Sequence, residues 1–196
     1  MVVTRNDPWT SADASILWSR LDRPGHESAR LIQSAGSWHL TGSAVFAEKG
    51  QPVRLDYLII CDAAWKTQSA IVAGWIGNRE IAIEIVVTPD ARWLLNNEPV
   101  ASVRGCLDID LNFSPSTNLL PVRRLKLPVG REATVRAAWL RFPSFELEAL
   151  EQMYRRVSSR TFIYESGGGR FTAQLDVNDV GFPTNYAGLW RAEASA

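Results

Sequence analysis

The chain has 196 residues, with 21 Lys and Arg against 21 Asp and Glu, 46% apolar and 10% aromatic residues, 13 Gly and 10 Pro. That is enough to bury roughly 70% of the surface the unfolded chain would expose, and it reads as a single domain over residues 1–196. A formal charge of zero offers no basic excess to displace counterions, so nucleic acid and anionic membrane surfaces are not expected partners. No apolar run approaches the ~20 residues that cross a bilayer, since Glu84 interrupts the richest one, Ile81 to Val87.

In chain order, the N-terminus carries Arg5, Asp7, Pro8 and Trp9 without the basic start, apolar stretch and cleavage site of a secretory signal. A cytoplasmic, unprocessed chain is the expectation. Residues 11 to 33 are mixed: Ile16, Leu17 and Leu21 fit one helical turn that Pro24-Gly25 would stop. From residue 37 a period of two dominates. Trp38, Leu40, Gly42, Ala44 and Phe46 share one face, and Val53, Leu55, Tyr57, Ile59 and Cys61 repeat the pattern. Trp65 to Ile76 and Arg79 to Thr88 flank Gly77-Asn78, a two-residue hairpin connection. Asn96-Asn97-Glu98-Pro99 reads as a turn, Val103 to Leu111 and Leu120 to Leu127 as strands, and Thr134 to Phe142 as another. Glu146 to Val157 has apolar residues three or four apart and is equally a helix or a long bent strand. Thr161 to Glu165 and Arg170 to Val177 flank Ser166-Gly167-Gly168-Gly169, a hairpin loop. The stretch from Val180 to Arg191 mixes aromatic and turn residues and is expected to cover the open edge or mouth of the sheet, as a lid in its functional version. The pattern predicts an all-β fold: a single curled antiparallel sheet, half-barrel or roll, with at most one or two short helices. Such a curl has a concave face.

Cys61 and Cys106 lie in strand-like sequence and are expected as buried free thiols, with one bridge still open. His26 and His39 are the only histidines, and neither has the spacing of a metal site or a Ser-His pair, so no metal, cofactor or catalytic triad is expected. The eight Trp, at positions 9, 18, 38, 65, 75, 93, 139 and 190, are either large strand formers or walls facing a ligand, because a buried indole N–H needs a partner.

The densest polar motif is Cys106 to Leu111 followed by Ser114 to Arg124. Alternation puts Asp108 and Asp110 on one face, roughly 7 Å apart by the strand rise, and Arg123 and Arg124 can compensate them. One reading is a turn cemented by Asp-Arg pairs. The other is a cluster at a pocket mouth, with Asp108, Asp110, Thr117, Asn118, Arg123 and Arg124 meeting ligand hydroxyls or anions.

These runs, Cys106-Leu107-Asp108-Ile109-Asp110-Leu111 and Ser114-Pro115-Ser116-Thr117-Asn118-Leu119-Leu120-Pro121-Val122-Arg123-Arg124-Leu125, resemble the bacterial glycolipid-binding protein family, formerly a domain of unknown function. Leu55-Asp56-Tyr57, Asp62, Trp65-Lys66-Thr67, Gln152, Tyr154, Tyr164 and the Gly181 to Arg191 ending extend the likeness over approximately residues 18 to 191. Ser116, Asn185 and Ala187 depart from it, where the family has an aromatic, Asp and Pro. The resemblance implies a curled β-domain shaped like the lipoprotein-localisation factors, with an apolar concavity suited to acyl chains. The expected function is non-enzymatic binding of a glycolipid or other amphiphile, its head group met by the Asp, Asn and Arg cluster, with Trp65, Trp139, Tyr154 and Tyr186 added as ligand-binding aromatics. Two alternatives stand beside it: a hydrolase of a glycosidic or ester bond using Asp108 and Asp110, and a protein-interaction domain.

Overall fold

In the computed structural model, which describes Trp9 and residues 13–196, inward and outward positions alternate along most strands. The first half is a meander of long strands: β1 (Ala14–Arg20), β2 (Gly25–Ser34), β3 (Ser37–Glu48), β4 (Gln51–Cys61), β5 (Thr67–Ile76) and β6 (Arg79–Val87), then the short β7 (Trp93–Leu95) and β8 (Glu98–Pro99). After a 3-10 turn at Ala101–Val103 come β9 (Asp108–Leu111), a second 3-10 turn at Ser116–Asn118 and the helix α1 (Leu119–Leu125). The second half is β10 (Glu132–Arg141), β11 (Glu146–Arg156), β12 (Thr161–Ser166), β13 (Phe171–Val177), β14 (Pro183–Tyr186) and β15 (Trp190–Ser195).

Among the described residues these fifteen strands form one sheet, in the order β8 to β1, then β15 to β9. Neighbours are antiparallel except β9 and β10, which run parallel. The halves join where β1 pairs with β15, with Ile16 opposite Ser195 and Arg20 opposite Trp190. So wide a sheet must curl as strand twist accumulates, and its two ends approach each other without forming a ladder. Thr67 stitches the seam: its N–H donates to Leu107 O at 2.9 Å, and its hydroxyl accepts from Ile109 N–H at 3.1 Å. Trp93 Nε1 adds a bond to Cys106 O at 3.2 Å. The core fills the concave side, where Trp18, Leu31, Leu40, Leu55, Ile59, Ile85, Leu140 and Leu175 are fully buried.

The structure corrects several local readings. Leu120 to Leu127 is not a strand; its first residues belong to α1. Leu119, Leu120, Pro121, Val122 and Arg123 are all buried, so the short helix shows no polar face and its apolar residues imitate alternation. Pro121 falls in its first turn, where a missing N–H leaves no bond unmade. Val180 to Arg191 does not cover an edge: β14 and β15 lie in the middle of the sheet, and the hydroxyl-bearing Tyr186 pairs opposite Leu175 and Trp190. Residues 14 to 20 are strand rather than a helical turn, and only Asp108–Leu111 of the Val103 to Leu111 segment is strand. Glu146–Arg156 is the long strand of its two open readings. Cys61 and Cys106 are buried and free. The expectation drawn from Arg5, Asp7 and Pro8 lies outside the described residues, and no described helix is long and apolar enough to cross a membrane.

Candidate functional site

On β2, alternation turns Glu27 inward together with Ala29 and Leu31, and Glu27 is 1% exposed. Two hydroxyls meet it, and a third closes a ring with them. Tyr57 Oη, from β4, lies 2.7 Å from Glu27 Oε1 and 2.7 Å from Ser116 Oγ; Ser114 Oγ lies 2.5 Å from Glu27 Oε1 and 2.7 Å from Ser116 Oγ. Four contacts take four protons and the hydroxyls bring three, so the ring is complete only when Glu27 carries the fourth. Burial independently pushes this carboxyl up to about 8, against the hydrogen bonds from Ser114 and Tyr57. The phenol reaches across β3 because residue 42 is glycine: a Cβ there would lie 2.3 Å from Tyr57 Oη. This ring holds the Phe113 to Asn118 loop against the wall of the sheet, and α1 follows directly, buried on nearly every side.

Beside that plug a cleft of about 390 Å³ remains, lined by Asp110, Asn112, Ser114, Asn118, Trp139, Leu150, Tyr164, Ser166, Gly167, Arg170, Phe171, Tyr186, Leu189 and Trp190. Its size falls in the ~300–1,000 Å³ range of small-molecule sites. Asp110 and Trp139 are neighbours across the parallel β9–β10 ladder. Half-buried, Asp110 accepts from Gln152 Nε2 at 2.6 Å, and burial pushes its carboxyl up to about 6 against that bond. Asn118 donates through Nδ2 to Pro115 O at 3.1 Å, and its Oδ1 accepts from Tyr154 Oη at 2.9 Å. Tyr164, Phe171 and Tyr186 pack edge to face with centroids 5.9 to 6.1 Å apart. Burial, with Asp110 among the neighbouring charges, holds the phenols of Tyr154, Tyr164 and Tyr186 above their usual range. A second depression, of about 500 Å³ beside Glu48, Lys49, Arg79 and Pro143, has no aromatic wall.

Of the residues expected at a site, Asp110, Asn118, Trp139 and Tyr186 line this cleft, and Tyr154 stands behind Asn118. The others gather elsewhere. Asp108, 1% exposed, receives a two-pronged bond from Arg124 at 2.9 and 2.5 Å. Arg123 is buried, donates to Val180 O at 3.0 Å, and lies over the stacked rings of Trp38 and Trp65, 5.5 and 4.6 Å from their centroids. Thr117 Oγ1 accepts from Leu111 N–H at 3.3 Å. Sequence reasoning missed Arg170, Phe171 and Trp190 as cleft residues and Glu27 as the anchor beneath. The signal for Glu27 was available, as a carboxyl on the apolar face of an alternating strand. Phe171 and Trp190 carry no local signal, since they meet only through strand pairing. Among the described residues no group of three or more His, Cys, Asp or Glu is placed to hold a metal.

The family model described as "Putative glycolipid-binding" matches residues 15–192. The chain is similar to a DUF1089 family protein from Pseudomonas aeruginosa of known crystal structure, with 27% identity and a TM-score of 0.72 over 97% of this chain and 98% of that one. A beta-barrel-like protein of a domain of unknown function, DUF1849, from Brucella abortus aligns at 7% identity and a TM-score of 0.58, covering 96% and 98% of the two chains, and shares the fold. No curated protein matches.

Proposed function

Since the chain belongs to the glycolipid-binding family, we propose that it binds the head group of a glycolipid or related amphiphile in the cleft between Trp139 and Tyr186, without catalysing a reaction on it. The observation that carries this reading is the joining of one half-buried carboxylate, Asp110, with an aromatic wall of Trp139, Tyr164, Phe171, Tyr186 and Trp190. Ring faces suit the C–H faces of a sugar, while Asp110 and Asn118 accept from its hydroxyls. The volume of about 390 Å³ equals the room of about a dozen waters at ~30 Å³ each, which suits a sugar ring and the first methylenes of a chain. Each methylene sheltered there contributes ~0.8 kcal/mol and each net hydrogen bond ~1 kcal/mol. Because α1 occupies the trough, the rest of an acyl chain lies along Leu150, Phe171 and Leu189 at the mouth. Binding is favoured over hydrolysis by the commitment of Asp108 to Arg124, which leaves Asp110 as the one carboxylate lining the cleft.

The test is a titration with octyl glucoside below its micellar concentration, followed by tryptophan fluorescence. Saturable quenching that weakens about tenfold in Asp110→Asn and more in Trp139→Ala is expected, one charge-assisted bond being worth that much. A linear, non-saturating response, or equal affinity in all three proteins, contradicts the proposal.

A further inference from the structure

The cleft lining holds one carboxylate, Asp110, and one cation, Arg170. Asp110 has no ion-pair partner among the described residues, and the group bonded to it is the neutral Gln152 amide. Asn118 uses one amide N–H on Pro115 O, and its Oδ1 accepts from Tyr154 Oη, which is itself close to Gln152, the partner of Asp110. Asn112 Oδ1 is taken by Phe142 N–H at 3.1 Å. The one cationic residue of the lining, Arg170, is solvent-exposed and its Nε is bonded to Gly167 O at 2.8 Å. Five aromatic rings complete the wall, and ring faces attract cations. A half-buried carboxylate with no cation beside it is under-solvated, and a ligand that only accepts hydrogen bonds would worsen it.

From this juxtaposition of Asp110, the Asn118 carbonyl and the aromatic wall we infer that the preferred head group carries a protonated primary amine, as a hexosamine with a free amino group does. This inference rests on the glycolipid reading of the same cleft and names its ligand class. The ammonium donates to Asp110 and to Asn118 Oδ1, which keeps its second lone pair, while the ring lies against Trp139. Its charge balances Asp110, and a neutral hydroxyl at the same place supplies one donor without that balance. A metal ion is a poorer occupant, because the cleft offers one carboxylate.

Three octyl glycosides decide the matter: the glucoside, the 2-amino-2-deoxyglucoside and its N-acetyl derivative, each titrated calorimetrically at neutral pH and low ionic strength, where screening is weak. The amine is expected to bind about tenfold or more tighter than the other two, and Asp110→Asn to erase that preference, leaving all three at the weakened affinity the glucoside shows in that variant. Equal binding of all three, or tighter binding of the acetylated form, overturns the amine inference and leaves the glycolipid reading standing. If none of the three binds, the glycolipid reading and the inference fall together.

Discussion

Glu27 and Asp110 are two carboxyls that burial treats differently because their partners differ. Glu27 sits in a ring of hydroxyls with no cation in contact, and its carboxyl is raised from 4.5 to about 8. The folded protein therefore holds a proton that the unfolded chain releases, and stability falls as pH rises from about 4.5 through about 8, then levels. Glu27→Gln removes that titration but cannot supply the ring's fourth proton at an oxygen that also accepts. In urea melts the variant is expected to be about 1 kcal/mol less stable than the wild type in acid, with the gap shrinking and reversing toward pH 8. A gap that stays constant with pH would contradict a neutral Glu27. Asp108 and Asp110, on the same face of β9, separate in the same way. Asp108→Ala leaves the partly buried Arg124 without its carboxylate and should cost about 3–5 kcal/mol. Asp110→Asn, which keeps an acceptor for Gln152 and removes an under-solvated charge, should leave the melting temperature nearly unchanged or raised. The sequence placed both carboxylates on one side and offered arginines for them. It could not show that the helix turns Arg124 to Asp108 and Arg123 away to the tryptophans, because that depends on where α1 docks.

At the scale of elements, strands with one wet face were legible and elements surrounded by protein were not. β3, β4 and β6 show their alternation because His39, Arg54 and Glu84 stand between buried neighbours. The hairpins at Gly77-Asn78 and at Ser166 to Gly169 were fixed by local turn chemistry, and both join the strands expected of them. α1 offers no such contrast. The central placement of β14 and β15 likewise depends on the pairing of β15 with β1, at the other end of the chain. Since α1 plugs the trough, its apolar residues hold the cleft's back wall indirectly. Leu120→Ala, at a residue 1% exposed, should cost about 2–5 kcal/mol in a denaturant melt. A loss under about 1 kcal/mol would mean that the helix is loosely seated.

Across the whole molecule, a balanced surface and a curled sheet frame an aromatic-walled cleft. All but the exposed Trp75 take one of the two roles open to them. Trp18, Trp38, Trp65 and Trp93 are buried in the core, Trp18 Nε1 meeting Pro183 O at 2.5 Å, whereas Trp139 and Trp190 line the cleft. Composition announced a surplus of indoles; only the curl of the second half, from β15 to β9, brings Trp190 across to Asp110 and Trp139. The most direct measurement is a crystal structure grown with an octyl glycoside. The account predicts a sugar ring against Trp139 and Tyr186, with a ring donor within about 3.2 Å of Asp110 and the alkyl chain leaving past Phe171. A ligand seated in the depression beside Arg79, or a cleft left without sugar at saturating concentration, would contradict it.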